Sequence, residues 1–239
     1  MKKILTIIVS LIILTGCNPN LTEGLIAYYP FNGNLKDSSG NNNHGFSEDI
    51  SFTTNNKNKD SSAVKFNRDE IKINSRIIET GPFTISFWVY IDSYNDKNQY
   101  VITNGGATRL SQGFSFLITG NRYLRSHGYD KNRILFIVSD KKSQMRSGLI
   151  SPVIPEKEWV HITGMWNGES AEGLQLFING KDVKCEKYSS ELKFGPKSNL
   201  KMGRPITTTD YSLYGKLDEV RIYKRILTKR EIKKIGKHR

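Results

Sequence analysis

The chain has 239 residues, 37% of them hydrophobic and 25% charged, and a formal net charge of +13. That length suits one all-β domain of roughly 200–250 residues or two smaller ones, and it buries a core without disulfide staples. The composition excludes wholesale disorder, collagen, a coiled coil and a multi-span membrane protein. Two cysteines exclude a disulfide scaffold, a CxxC redox site and a cysteine-rich zinc module.

At the N-terminus Lys2 and Lys3 precede an apolar run over residues 4–14, interrupted only by Thr6 and Ser10. As a helix those residues rise about 16 Å, short of a hydrocarbon core of roughly 30 Å, so the run reads as a secretion signal. It ends in Leu14-Thr15-Gly16-Cys17, which resembles the lipobox of bacterial lipoproteins. The resemblance implies cleavage before Cys17 and lipid on its thiol. An ordinary signal peptide and a buried N-terminal helix are the competing readings. Several acyl chains, at about 0.8 kcal/mol per buried methylene, anchor a protein durably. Asn18 in place of Asp points to the outer membrane if the cell has two membranes. With Cys17 acylated, Cys185 has no intramolecular partner and is either a small buried apolar residue or a surface thiol.

From residue 25 the pattern is strands punctuated by turns. LIAYYPF (25–31) ends at Asn32-Gly33, and a polar loop spans 32–45. A second loop (55–62) leads to AVKF (63–66) and EIKI (70–73). FTISFWVYI (83–91) alternates, with Phe83, Ile85, Phe87, Val89 and Ile91 on one face and Thr84, Ser86, Trp88 and Tyr90 on the other. Further strands are expected at 100–103, 113–119, 134–139, 159–166, 174–180, 200–204 and 217–223. Asn179-Gly180 is a type I′ hairpin dipeptide. Thr228 and Glu231 fit a capping box, so a short helix follows, with Ile232 and Ile235 docked on the sheets. The expected organisation is a signal peptide (1–16), a lipidated tether (17–23), one folded domain (24–236) and a basic tail end (237–239).

Four segments in order resemble the LamG-like family of concanavalin A-like lectin/glucanase folds. They are GLIAYYPFNGNLKDSSGNNNHG, FTISFWVYI, EWVHITGMWNG with LQLFINGKDV, and YGKLDEVRIYKRILTKREI. The resemblance covers about residues 24–236. It implies an all-β, two-sheet antiparallel jelly-roll sandwich with a short C-terminal helix. Trp159, Trp166 and Phe177 are assigned to the core of such a sandwich.

Calcium favours six to eight oxygens on a loop that can wrap it, and the 32–45 loop carries Asn34, Asp37, Asn41, Asn42 and Asn43. Family members commonly hold one structural calcium between this loop and the closing strand. Carried over, that implies Asp37 and Asp218 by carboxylate, Asn34 by an oxygen and His44 by its backbone carbonyl. The competing reading is an Asx-rich turn whose side chains bond their own backbone. Glucanases of this general fold use an E-x-D-x-x-E strand motif, which is absent here, and Asp218 and Glu219, adjacent on a strand, point to opposite faces. No catalytic residues are assigned. Ligand contacts are expected at Tyr90, Arg109, Arg122 and Tyr123, with Tyr100, Arg125 and Tyr129 on the same rim; Trp88 is either a platform or buried. The basic stretch 221–239 reads either as a solvated helix face or as a contact for anionic lipid, an acidic polysaccharide or an acidic partner. Nucleic acid is set aside because of the secretion signal.

The expected function is a non-catalytic, lipid-anchored module of the cell envelope that binds carbohydrate with a structural calcium. A protein-binding or adhesion module and a divergent glycoside hydrolase are the alternatives.

Overall fold

The computed structural model describes residues 18–94, 96–105, 113–121, 132–139, 146–183, 186–188, 198–205 and 211–237. Cys17, Arg109, Arg122, Tyr123, Arg125, Tyr129 and Cys185 lie outside them.

The strands in chain order are β1 (Leu25–Tyr29), β2 (Gly45–Phe46), β3 (Ser51–Thr53), β4 (Ala63–Asn67), β5 (Ile71–Ile73), β6 (Phe83–Ile91), β7 (Gln99–Thr103) and β8 (Gly113–Ile118). They continue as β9 (Arg133–Ser139), β10 (Arg146–Val153), β11 (Trp159–Trp166), β12 (Gln175–Ile178), β13 (Lys181–Asp182), β14 (Glu186–Tyr188), β15 (Leu200–Met202) and β16 (Tyr214–Tyr223). The helix α1 (Lys229–Ile235) follows. Two antiparallel sheets result. The first runs β13-β12-β11-β6-β16-β4-β3, with β1 also on β16; the second runs β14-β10-β9-β8-β7-β15-β5-β2. This is the expected all-β sandwich with one short C-terminal helix.

The inward stripe of β6 packs against inward rings of the second sheet. Phe87 meets Phe116 edge-on at 5.3 Å, and Phe116 stacks on Phe136 at 4.4 Å. Asn179 and Gly180 both have positive φ (50° and 72°), as a type I′ turn requires, and they join β12 to β13 in a two-residue hairpin. β10 was not expected; its Ser, Gly and Pro residues mask the strand, yet it pairs with both β9 and β14.

The outer face of the first sheet is covered in part. Met165, Phe177, Tyr223, Leu227, Ile232 and Ile235 form a second apolar cluster there, joined by Leu21 and Leu25. The capping box sets α1 in place. The Thr228 hydroxyl accepts from the Glu231 amide at 3.2 Å, and Glu231 accepts from the Thr228 amide at 2.8 Å. Thus Thr84, Ser86 and Trp88, on the second face of β6, are buried as well as its core stripe. Trp166 and Phe177 are buried as expected. Trp159 is not core: it is half-buried beside Tyr90 on the outer face.

One irregularity positions the site. β16 lies against β4 through Leu217 and against β1 from Val220 onward. Between these neighbours a bulge interrupts its pairing with β6, from Asp218 to Arg221. Glu219 there has φ 53°, an uncommon backbone for a residue with a side chain.

Candidate functional site

The bulge turns Glu219 and Arg221 outward beside Tyr28 of β1. The Tyr28 hydroxyl donates to both Glu219 carboxylate oxygens at 3.1 and 3.0 Å. Arg221 pairs with Glu219 at 2.5 Å, and its guanidinium lies 4.1 Å from the centre of the Tyr28 ring. Burial, with the Glu219 charge beside it, pushes the Tyr28 phenol above its ordinary range, although Arg221 pulls the other way. It therefore stays a donor. These groups line a cleft of about 370 Å³, with Trp88, Lys57 and Leu21 on other sides and Lys234, Ile235 and Lys237 at the helix end. Trp88 is 3% exposed, so it forms the floor of the cleft and not a platform.

Beneath the cleft lies a buried polar row. His161 Nε2 is 2.8 Å from the Ser86 hydroxyl, and Thr163 donates to the same hydroxyl at 3.3 Å. Burial, then the Arg221 charge, pushes the His161 imidazole down to about 3, so it is neutral. Its Nδ1 has no partner. A Cβ on Gly236 would approach that atom to 2.7 Å, so the end of α1 closes over the ring. The Ser86–His161 pair is sealed beneath the helix and does not reach the cleft surface.

Asp218 is fully buried. Its Oδ1 accepts from the Glu219 amide at 2.7 Å, and its Oδ2 has no partner. Burial, then the neighbouring Glu219 charge, raises the carboxyl to about 7, although the Asn55 side chain and Lys57 draw it down. A glycosidase needs two carboxyls that reach one bond. Here one is buried, and the other is held by Tyr28 and Arg221.

The four residues expected around calcium have separate roles. Asp37 Oδ1 accepts from the amides of Tyr28 and Ser39 at 2.9 and 2.8 Å. Its Oδ2 accepts from the Ser39 hydroxyl and the Asn43 amide at 2.9 and 3.0 Å. Burial alone would raise this carboxyl, but the hydrogen bonds outweigh it and hold it below the usual range. Asn34 accepts from the Lys36 amide at 2.9 Å, and His44 Nδ1 accepts from the Asp37 amide at 3.0 Å. These three build an Asx-type loop lock that draws the loop against β1. Of these four, only Asp218 has a buried oxygen without a partner among the described residues. Among the described residues no three His, Cys, Asp or Glu side chains converge. A cation at Asp218 would therefore lean on amide and backbone oxygens.

Of the expected ligand residues, Tyr90 lies on the same outer face as Trp88, half-buried, with Lys216 Nζ 4.4 Å from its ring centre. Tyr100 is not on a rim: it is 8% exposed, on the other sheet, packed with Leu117, Leu135 and Ile150. Tyr28, Lys57, Glu219 and Arg221 were not expected as one site. The two-residue spacing of Glu219 and Arg221 on a strand was the available signal; nothing local marks Lys57. A smaller recess of about 120 Å³ lies at the edge of the second sheet, where Phe46 is 54% exposed and Glu70 pairs with Lys72, Lys201 and Arg204.

Comparison with known proteins adds two sequence findings. A model of the concanavalin A-like lectin/glucanases superfamily matches residues 65–233. A model of the prokaryotic membrane lipoprotein lipid attachment site matches residues 1–18. No curated protein sequence matches the chain. Among solved structures, one similar to the chain is domain 4 of AbnA, a GH43 extracellular arabinanase from Geobacillus stearothermophilus, in complex with arabinotriose. Its TM-score is 0.65 at 18% identity, over 89% of this chain and 98% of that one. The binding domain of Paraclostridial Mosquitocidal Protein 1 has a TM-score of 0.65 at 16% identity, over 91% of this chain and 52% of that one. The botulinum neurotoxin serotype G binding domain has a TM-score of 0.65 at 18% identity, over 89% and 50%. The chain thus spans about half the length of these toxin domains, and at such identity the likeness is one of fold.

Proposed function

We propose, for a chain that belongs to the concanavalin A-like lectin/glucanases superfamily, the role of a non-catalytic cell-envelope module that binds carbohydrate. A lipid attachment site at its N-terminus makes it a membrane-anchored protein of the cell envelope. Cys17 is the lipidated residue of this proposal, and Asn18 after it favours an outer membrane where a cell has one.

The observation that carries the reading is the cleft over the β16 bulge. Sugars offer apolar ring faces edged by hydroxyls, and recognition needs a few fixed polar groups beside an aromatic surface. Glu219 is a fixed acceptor, Arg221 a fixed donor, and Tyr28 orients both. Trp88 closes the floor. Tyr90 extends this surface along β6, and Arg109, Arg122 and Tyr123 are the proposal's remaining contacts. The module does no chemistry in this reading, because the Asp218 carboxyl is buried away from any bound sugar. A calcium ion is its structural cofactor, held at Asp218 with amide and backbone oxygens. It would supply a fixed positive charge under the bulge.

The test is a broad glycan array probed with the mature chain, in calcium and in EDTA. Arabinan oligosaccharides and acidic glycans belong on it. Binding weakened at least tenfold by Arg221→Gln, with an unchanged unfolding midpoint, supports the cleft. Binding untouched by that change moves the site away from it. Silence from a folded protein favours the protein-binding alternative, and release of reducing ends from a bound glycan would restore the hydrolase.

A further inference from the structure

The chain that leads to the lipid is not a loose tether. The Pro19 carbonyl accepts from Lys234 Nζ at 3.4 Å, and the Asn20 carbonyl from Arg225 at 3.0 Å. The Leu21 carbonyl accepts from the Tyr223 hydroxyl at 3.1 Å, and the Glu23 carbonyl from Arg225 Nε at 2.7 Å. The Leu21 side chain packs on the cluster formed by Ile232 and Ile235. Pro19 is two residues from Cys17, a span of at most about 8 Å at roughly 3.8 Å per residue. Lipid on Cys17 puts that residue's backbone at headgroup level. Lys234 Nζ, 3.4 Å from the Pro19 carbonyl, is then held at most about 13 Å from the Cys17 backbone, a little over one Debye length of roughly 8–10 Å.

The side of α1 that faces solvent is basic. Arg230 and Lys233 are exposed on it, as are Lys224 before it and Lys237 after it. Its carboxylate, Glu231, is closed by Arg225 and Thr228. Lys229 pairs with Asp182 at 3.8 Å. Glu23 is the exposed acid of the N-terminal strip. The apolar side chains of α1, Ile232 and Ile235, point into the sheet, so this surface offers charge and no hydrocarbon.

We infer that α1 and the strip 18–23 form one membrane-contact face, which docks by charge on anionic phospholipid headgroups around the anchor. The inference rests on the lipid at Cys17 and goes beyond the carbohydrate reading. It fixes the orientation of the domain. The cleft, which shares Leu21, Lys234 and Lys237 with this face, opens beside the bilayer, and its ligand is met at the membrane surface.

The lipidated full chain, reconstituted in liposomes of phosphatidylcholine with or without phosphatidylglycerol, tests this. Flotation reports the anchor. Amine-reactive labelling of Lys233 and Lys237 reports the face, against exposed Lys157, whose amide bonds to Ile91 at the far end of β6. The expected result is labelling of Lys233 and Lys237 reduced several-fold by phosphatidylglycerol and restored by high salt. In the Arg230→Gln/Lys237→Gln chain the protection of Lys233 should be largely lost, because each basic side chain removed weakens docking roughly fivefold. Equal labelling in both lipid compositions, in protein that floats with both, overturns the inference and leaves the anchor standing. Protein that floats with neither refutes the lipid itself. Protection that appears only when an acidic oligosaccharide is added assigns the face to the ligand and also overturns it.

Discussion

Asp218 is the residue on which burial and charge are most at odds. Its carboxyl titrates near 7 in the fold and at 3.8 as a free side chain, raised first by burial and then by Glu219. A raised acid stabilises the fold fully below its unfolded value and loses that contribution as pH climbs through its folded one. In EDTA the protein should therefore lose stability between pH 5 and pH 8. The full interval from 3.8 to about 7 corresponds to roughly 4 kcal/mol and the part above pH 5 to roughly 3, upper bounds since the site relaxes when charged. Asp218→Asn keeps an oxygen for the Glu219 amide and removes the charge. Urea unfolding at pH 5 and pH 8 should show a smaller loss in the variant, which becomes the more stable chain at pH 8. Adding calcium at pH 8 should raise the midpoint of the parent and leave the variant unmoved. Parallel pH dependence in the two chains defeats the account of Asp218; a calcium response that survives the substitution moves the cation elsewhere.

At the scale of elements, Arg225 joins the two ends of the domain. It donates to Glu231 at 3.0 and 2.6 Å, holding that carboxyl down at about 2, and to the carbonyls of Asn20 and Glu23. The capping box beside it was legible in the sequence because Thr228 and Glu231 are local partners. The link to residues 20 and 23 was not, because it joins positions some two hundred apart. Arg225→Ala should cost about 2 kcal/mol, the range of charged hydrogen bonds lost together. The loss should also be localised. Hydrogen exchange at residues 20–25 and in α1 should quicken, while amides in β6 and β8 keep the protection of global unfolding. Uniform quickening through the sandwich would mean that Arg225 supports the fold as a whole and does not pin the strip.

At the scale of the molecule, the sandwich was legible where alternation is strict. FTISFWVYI, the Asn179-Gly180 hairpin and the closing strand each carry a local rule that tertiary packing then satisfies. β10 was hidden because Gly148, Ser151 and Pro152 weaken both propensity and pattern, and its neighbours hold it in the sheet. The cleft was hidden for a related reason: Tyr28, Lys57, Trp88 and Arg221 converge only once β16 bulges and exchanges β4 for β1. The spacing of the sheets depends on a residue that also carried no local signal. Gly164 of β11 faces the core, and a Cβ there would sit 2.4 Å from the ring of Phe116 and 3.1 Å from Phe136. Those two rings are themselves stacked at 4.4 Å, so neither has room to retreat. Gly164→Ala should therefore destabilise by about 2–3 kcal/mol through overpacking, although alanine favours most backbones over glycine. Shortening the clashing ring should repair it: in a double-mutant cycle with Phe116→Leu, the pair should cost at least about 1 kcal/mol less than the sum of the two single changes. Additive losses, or an alanine variant as stable as the parent, would show that the sheets stand farther apart at this point than the contact of Gly164 with Phe116 requires.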